Sequence, residues 1–312
     1  TRVIEHRATH LIEKGVPPES ILAVTFTNKA AEEMKKRVAN NQELETRNQK
    51  EPFIGTFHSL GAKILKKEAH LLKRASNFSI FDDGDSLSLV KEAIKSLDFS
   101  SERYKPAVFA SQISKIKNLL LDPEEFLDAN GFKIFQRYEE LMAKNNAIDF
   151  EDLIEKVVRL FERGEILEKY QNKFKYSLVD ESQDVNAAQY RLIKLLAGKF
   201  KNLSVVGDDA QAIYGWRFAD FRNFLNFEND WPNAKIVLLE QNYRSTKNII
   251  RASSELIKNN SFQRHKNLWT AGQDGEPIKV AVALGAAEEA ELIAEKVNLL
   301  TDRKTVAILY RT

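Results

Sequence analysis

The chain has 312 residues, of which 43% are hydrophobic and 29% charged, and its formal net charge is +2. This balance is typical of a globular protein with room for two domains or one domain with a large insertion, and it neither requires nor excludes nucleic acid. The absence of cysteine excludes disulfides and thiolate metal sites, and no apolar run reaches the roughly 20 residues of a membrane helix, so we expect a soluble, cytoplasmic protein without membrane contact.

The beginning of the chain alternates between helix and strand patterns. Apolar residues between positions 3 and 12 share one helical face, and Gly15 with the Pro17-Pro18 pair ends that helix. Further short apolar runs and amphipathic stretches predict strands over 21–26 and 53–56 and helices over 29–38 and 59–73. Alternating strands and helices predict a parallel sheet with crossover helices.

This alternation stops between about 71 and 170, where the sequence predicts an all-helical insertion. Its predicted helices cover 85–97, with Asp83 or Asp85 as cap, and 106–120, 123–130, 134–144 and 149–161. Strand patterns return at 176–179, 203–206 and 236–239, and again at 278–282 and 306–309 around a helix over 287–299. We therefore expect one α/β domain formed by residues 1–72 and 171–272, a helical insertion at 73–170, and the beginning of a second α/β domain at 273–312.

Acidic residues follow the predicted strand at 176–179. Asp180 and Glu181 come at its carboxyl end, which is where open α/β sheets bind ligands. There an aspartate can hold Mg²⁺, and an adjacent glutamate can orient and deprotonate a water molecule. The alternative is an acidic turn that only caps the next helix.

A second polar segment follows the strand near residue 206. Gln211 is placed to contact a phosphate oxygen, whereas Tyr214, Trp216 and Arg217 offer stacking surfaces and a cation, which suits nucleic-acid bases. The alternative is that Trp216 is a core residue.

Three further strand ends carry candidate ligand-binding residues. Tyr243 and Arg244 are suited to stack on a nucleobase and pair with a phosphate, although a surface turn in which Ser245 or Thr246 caps a helix is the alternative. Hydroxyl and aromatic side chains also stand at two strand-to-helix junctions, where backbone N–H groups attract DNA phosphates. They are Phe26, Thr27, Asn28, Thr56 and His58, the last of which is equally compatible with a structural role.

Taken together, these segments resemble superfamily 1 helicases of the UvrD/PcrA/Rep group. The resemblance rests on the segments 23–31, 55–59, 179–184, 206–214 and 241–245, supported by 148–153 and the closing Leu309-Tyr310-Arg311. It implies two RecA-like domains of the P-loop NTPase type that close around ATP and Mg²⁺, move 3′ to 5′ along single-stranded DNA and unwind duplex DNA.

The resemblance also implies roles for single residues. Asp180 would hold Mg²⁺, Glu181 would activate the attacking water, Gln211 and Arg244 would contact the γ-phosphate, and Tyr243 would stack on adenine. The residues expected to line the DNA track are Phe26, Thr27, Asn28, Thr56, His58, Tyr214, Trp216 and Arg217. Thr1 would be the Mg²⁺-binding hydroxyl that closes the phosphate loop.

The chain also departs from the family pattern. The phosphate-loop motif G-x-x-x-x-G-K-[ST] is absent from these 312 residues, so we expect the polypeptide alone to be inactive as an ATPase. Four positions carry unusual residues: Ser182, Ala210, Ala212 and Phe218. The alternatives to a helicase fragment are a module that only binds single-stranded DNA or a protein partner, and part of a RecB-like helicase–nuclease. Expected partners are single-stranded DNA, single-strand/duplex junctions, and repair or replication-restart proteins.

Overall fold

The computed structural model describes residues 2–40, 50–300 and 306–310. The chain divides into two compact units, unit 1 (Thr1–Lys235) and unit 2 (Ile236–Thr312), and each is described by itself. The expected assignment of residues 236–272 to the first domain stays a prediction. None of the helices in the described ranges is both long and apolar enough to cross a membrane.

Unit 1 combines a parallel sheet with many helices. Its helices and strands, in chain order, are α1 (Arg2–Glu13), β1 (Ile21–Thr25), α2 (Asn28–Asn40), β2 (Phe53–Thr56), α3 (Phe57–Lys67), β3 (Ser79–Phe81), α4 (Asp83–Ser96), α5 (Pro106–Leu119), α6 (Pro123–Phe126), α7 (Ala129–Lys144), β4 (Ala147–Asp149), α8 (Asp152–Phe161), α9 (Glu165–Lys173), β5 (Tyr176–Val179), α10 (Ala187–Ala197), β6 (Leu203–Val205), α11 (Arg222–Leu225) and α12 (Phe227–Asp230).

The main sheet has four parallel strands in the order β2-β1-β5-β6. Every residue of β1 is buried because helices cover both faces of the sheet. Ile21 and Ala23 pack on one face with residues of α1 and α2, whereas Leu22 and Val24 pack on the other with residues of α3, α8 and α10. The predicted RecA-like α/β fold is therefore confirmed, and the carboxyl ends of its parallel strands share one edge.

The sequence predicts an all-helical insertion, and this prediction is wrong. β3 and β4 pair in parallel as a separate two-stranded sheet, with Ser79 opposite Ala147 and Phe81 opposite Asp149. Strands of three residues are too short to show a periodic pattern, and this pair forms only because the fold brings two distant segments together. The cap of α4 also differs from the prediction, because the Asp82 side chain accepts from the backbone of Asp85, which reciprocates in a capping box.

Unit 2 contains two helices among its described residues, α13 (Lys247–Ile257) and α14 (Ala286–Asn298). The strands predicted over 236–239, 278–282 and 306–309 are not formed, and their apolar side chains are largely exposed. An apolar run becomes a strand only when a neighbour pairs with its backbone, and within the described part of unit 2 these runs have no such neighbour. A parallel bridge joins Gln241 to Trp269 among the described residues of this unit.

Candidate functional site at the edge of the sheet

The acidic turn, residues 180–184, follows β5 directly. The Asp180 N–H donates to the carbonyl of Val24 at 2.9 Å, which fixes the turn beside the end of β1, and Asp180 is only 1% exposed. Glu181 has a left-handed backbone with φ of 52°, which is uncommon for a residue with a side chain. Backbone strain of this kind is concentrated at functional sites, where the surrounding structure holds it in place.

Gln183 connects the acidic turn to the next strand end. Its Nε2 donates to Glu181 Oε2 at 2.9 Å and to Asp184 Oδ2 at 3.2 Å, while its Oε1 accepts from the Asp208 N–H at 3.0 Å. Gly207 makes this approach possible, because a Cβ there would lie 2.7 Å from Gln183 Oε1. One buried amide therefore holds two segments in a fixed relation.

The acidic turn contains carboxylate side chains of the kind that bind a divalent cation. Burial, reinforced by the charge of Glu181, raises the pKa of Asp184 to about 6. Asp180, Glu181 and Asp184 thus place three carboxylates in one turn, where a cation would relieve the repulsion between Glu181 and Asp184. Carboxylate oxygens are also the protein ligands that Mg²⁺ prefers. Thr1, the other expected Mg²⁺ ligand, lies outside the described residues.

Gln211 belongs to the same hydrogen-bonded group. It ends a 3₁₀ turn over Asp209–Gln211, and its exposed amide donates from Nε2 to Asp208 Oδ2 at 2.8 Å. Asp208 in turn donates its backbone N–H to Gln183, which holds Glu181. The structure therefore brings Gln211 and Glu181 together through two intermediate residues.

An aromatic cluster lies on unit 1 beyond Gln211. The rings of Phe26 and Tyr214 are 4.8 Å apart, those of Tyr214 and Trp216 are 6.2 Å apart, and the Arg217 guanidinium lies 4.6 Å from the Trp216 ring. Trp216 is 69% exposed, so the alternative that it is a core residue is wrong. Phe26 and Tyr214 are half-buried, so the exposed Trp216 ring beside Arg217 is the main surface on which bases can stack.

His58 and Phe150 form a second stacked pair. Their ring centroids are 3.9 Å apart at an interplanar angle of 21°, and Phe150 is 49% exposed. Burial, reinforced by the positive charge of Arg217, lowers the pKa of His58 to about 4. His58 is therefore neutral near pH 7 and offers a stacking surface rather than a positive charge for a phosphate.

The hydroxyl groups at the two strand-to-helix junctions act as helix caps. Thr56 Oγ1 accepts from the Ser59 N–H at 3.2 Å, and Thr27 Oγ1 accepts from the Ala30 N–H at 3.1 Å. Thr56 is buried, whereas Thr27 and Asn28 are exposed. Only the latter two therefore present side chains to solvent, and the expected DNA role of all three stays a prediction.

In unit 2, Tyr243 and Arg244 stand on a turn before α13. Asn242 Oδ1 accepts from the backbone N–H groups of Arg244 and Ser245 at 2.9 and 2.8 Å, which shapes the turn. Tyr243 is 81% exposed, and its hydroxyl donates to Gln241 Oε1 at 2.6 Å. Thr246 stands at the cap position of α13 but makes no side-chain capping bond. The turn thus leaves both candidate side chains available to a ligand.

Comparison with known proteins decides the family. The model of the UvrD/REP helicase N-terminal domain matches residues 1–232, and that of the UvrD-like helicase C-terminal domain matches residues 237–312. The chain belongs to the UvrD/Rep helicase family. ATP-dependent DNA helicase PcrA of Staphylococcus epidermidis is 46% identical, and the protein of that name from Staphylococcus aureus is 45% identical. Both alignments cover 100% of this chain but 44% of the relative, so the chain spans less than half of their length.

Two residues of this UvrD/Rep chain belong to the site but were given no role from the sequence. Gln183 lies inside the acidic segment, and its position between Glu181 and Asp184 is the sequence signal that could have identified it. Phe150 lies inside a segment that resembles the family, yet its contact with His58 depends on how α3 packs against the turn before α8. Only the folded chain shows that contact.

Proposed function

We propose that the whole protein is an ATP-dependent DNA helicase that moves 3′ to 5′ on single-stranded DNA. The observation that carries this proposal is the Gln183 bridge, which joins the acidic turn to the strand end that leads into the aromatic cluster. ATP chemistry and DNA contact would thus depend on one rigid group of residues. The relatives named ATP-dependent DNA helicase PcrA support the same function.

In this proposal the acidic turn carries ATP hydrolysis. Asp180 would hold Mg²⁺, which supplies positive charge to the phosphates when bound. Glu181 would take a proton from a water molecule while the oxygen of that water forms a bond to the γ-phosphorus. The bond between the γ-phosphorus and the oxygen that bridges to the β-phosphate then breaks. Gln211 and, from unit 2, Arg244 would contact the γ-phosphate, and Tyr243 would stack on adenine.

The aromatic cluster, with Trp216 as its exposed ring, would bind single-stranded DNA. Phe26, Tyr214 and Trp216 offer stacking to any base, and Arg217 adds positive charge to the same surface. The stacked pair of His58 and Phe150 would extend this surface, with Phe150 as its exposed member. Thr27, Asn28 and Thr56 would stand near the phosphates. Stacking without base-edge readout predicts binding that is tolerant of sequence.

We further propose that the polypeptide of these 312 residues is silent as an ATPase. Its sequence contains no G-x-x-x-x-G-K-[ST] motif, and the backbone donors and lysine of that loop bind the β- and γ-phosphates in P-loop enzymes. The domain assignment in this proposal is 1–72 with 171–272, the insertion 73–170, and 273–312. The proposal also includes a cytoplasmic location, binding to single-strand/duplex DNA junctions, and repair or replication-restart proteins as partners.

Two other functions differ in what they require. A module that only binds DNA needs the aromatic cluster but has no use for Glu181, Gln211 and Arg244, so the presence of these residues favours a motor. A RecB-like helicase–nuclease would contain the same two sites and would show nuclease activity as well.

The direct test is strand displacement by the whole protein. Duplexes with a 3′ or a 5′ single-stranded tail are offered with ATP and Mg²⁺, and we expect displacement from the 3′-tailed duplex only. Glu181→Gln should abolish it without loss of DNA binding. Displacement from the 5′-tailed duplex would refute the direction, and DNA binding without ATP-dependent displacement would favour the binding module.

A further inference from the structure

The segment after the acidic turn is shared by both halves of the proposed site. The carbonyl of Val185 accepts from the Asp220 N–H at 3.2 Å, and Asn186 forms an antiparallel bridge with Ala219, just beyond Trp216 and Arg217. Asn186 is also the N-cap of α10, where it forms a capping box with Gln189. A shift of the acidic turn would therefore move this segment, and with it the aromatic loop.

A helix of the insertion holds the same segment from the other side. Asn118 of α5 accepts at its Oδ1 from Asn186 Nδ2 at 2.7 Å. The Asn118 amide donates to the carbonyl and hydroxyl oxygens of Ser114 at 2.9 and 3.2 Å, and the Ser114 hydroxyl donates to Glu151 Oε1 at 2.6 Å. Glu151 is the chain neighbour of Phe150, which stacks on His58.

We propose that Asn118 is a positioning residue that couples the acidic turn to the DNA-facing rings through the insertion. This inference rests on the proposed helicase function and adds to it a route outside the direct Gln183 bridge. It assigns the insertion a part in DNA-stimulated ATP turnover. Asn118 contacts neither substrate, and it acts by fixing Asn186 relative to the turn that carries Phe150.

Packing around Asn118 supports a link that can be tested without unfolding the domain. Asn118 is half-buried where α5 packs against α8 and α10. The buried residues of α8 and α10 in the hydrophobic core nearby are apolar. Replacement by leucine keeps the branched shape and removes these hydrogen bonds, whereas replacement by aspartate keeps the acceptor for Asn186 Nδ2 but removes the donor to Ser114. A hydrogen bond between neutral groups contributes about 1 kcal/mol, or roughly a fivefold effect on an equilibrium.

The experiment compares ATP turnover of the whole protein with and without single-stranded DNA. For Asn118→Leu we expect the DNA stimulation to fall about fivefold while turnover without DNA is unchanged. We expect Asn118→Asp to lower the stimulation as well, because its carboxylate cannot donate to Ser114. Asn145→Ala is the matched control, because Asn145 makes a similar bond to Leu141 O in the insertion, away from both sites. Thermal melting of each variant identifies any loss of fold.

Four results would overturn the proposal. They are an unchanged stimulation in Asn118→Leu, an equal fall of basal and stimulated turnover, an unchanged stimulation in Asn118→Asp, and an equal loss in Asn145→Ala. Wild-type protein that shows no stimulation by DNA would instead refute the proposed function, and this proposal with it.

Discussion

Helices α3 and α8 approach each other closely at Gly61, near the stacked pair of His58 and Phe150 in the chain. A methyl group at Gly61 of α3 would lie 1.9 Å from the carbonyl oxygen of Leu153 in α8. Unstrained contacts between non-bonded heavy atoms are about 3.5 Å long, so Gly61→Ala requires α3 and α8 to separate by about 1.5 Å. Gly61 lies one turn after His58, and Leu153 donates its N–H to the carbonyl of Phe150 at 3.3 Å, so the separation must reach the stacked rings.

The size of the effect follows from two opposing contributions. Overpacking a core typically costs about 1–3 kcal/mol, and alanine in a helix is favoured over glycine by about 1 kcal/mol. Because the clash at 1.9 Å is with backbone, the overpacking cost falls in the upper part of that range, at about 2–3 kcal/mol. We therefore expect Gly61→Ala to lower the free energy of unfolding by on the order of 1–2 kcal/mol. For a domain of this size that corresponds to a loss of roughly 2–8 °C in melting temperature. DNA affinity should fall as well, because the ring pair is displaced.

The assay is thermal melting together with single-stranded DNA titration, and Gly84→Ala is the matched control. Gly84 stands in the exposed first turn of α4, where the nearest atom to an added Cβ is a carboxylate oxygen of Asp82 at 3.2 Å. That variant should melt at or slightly above the wild-type temperature. If Gly61→Ala melts and binds DNA like Gly84→Ala, the tight packing of α3 on α8 does not position the rings.

Four other outcomes are expected. Trp216→Ala should weaken single-stranded DNA binding by about 1–3 kcal/mol in a titration, with little change in melting temperature because the ring is exposed; normal affinity would contradict the stacking role. The neutral form of His58 should stabilise the fold fully above about pH 6.5 and lose that contribution as pH falls through about 4, and an NMR titration midpoint near 6.5 would contradict it. Phe218→Gly should melt no lower than wild type, because Phe218 has φ of 64° and glycine removes that backbone strain; a lower melting temperature would contradict this. Lys117→Met should lower the free energy of unfolding by about 3–5 kcal/mol in denaturant titrations, because it removes the cation of buried Asp149 and leaves Asp152 with Lys156 only; a loss below 1 kcal/mol would refute this.

The strands of the main sheet could be predicted from short apolar runs. Those at 21–25, 53–56, 176–179 and 203–205 appear as strands in the structure because each pairs with a parallel neighbour, and β1 is buried along its whole length. The same apolar pattern led to wrong strand predictions in unit 2, where the runs at 236–239 and 278–282 have no strand beside them among the described residues. Apolarity indicates that a segment is fit for burial, and pairing depends on which neighbour is present.

The candidate site was predictable where its residues follow a strand directly. Asp180, Glu181 and Gln211 come after buried strands, so the shared sheet edge brings them together. The contact of His58 with Phe150 and the bond of Asn118 to Asn186 depend on the packing of the insertion against α3 and α10. Tertiary contacts between distant segments leave no periodic signal, so only the structure shows them.

The central claim is that these residues form part of a motor in which single-stranded DNA drives ATP hydrolysis. Its most direct test is DNA-stimulated ATP turnover by the 312-residue polypeptide and by the whole protein, each with Glu181→Gln as the inactive counterpart. We expect stimulated turnover by the whole protein only, lost in Glu181→Gln. Silence of both forms would contradict a motor and favour a DNA-binding module, and turnover by the 312-residue polypeptide would show that the phosphates are held in another way.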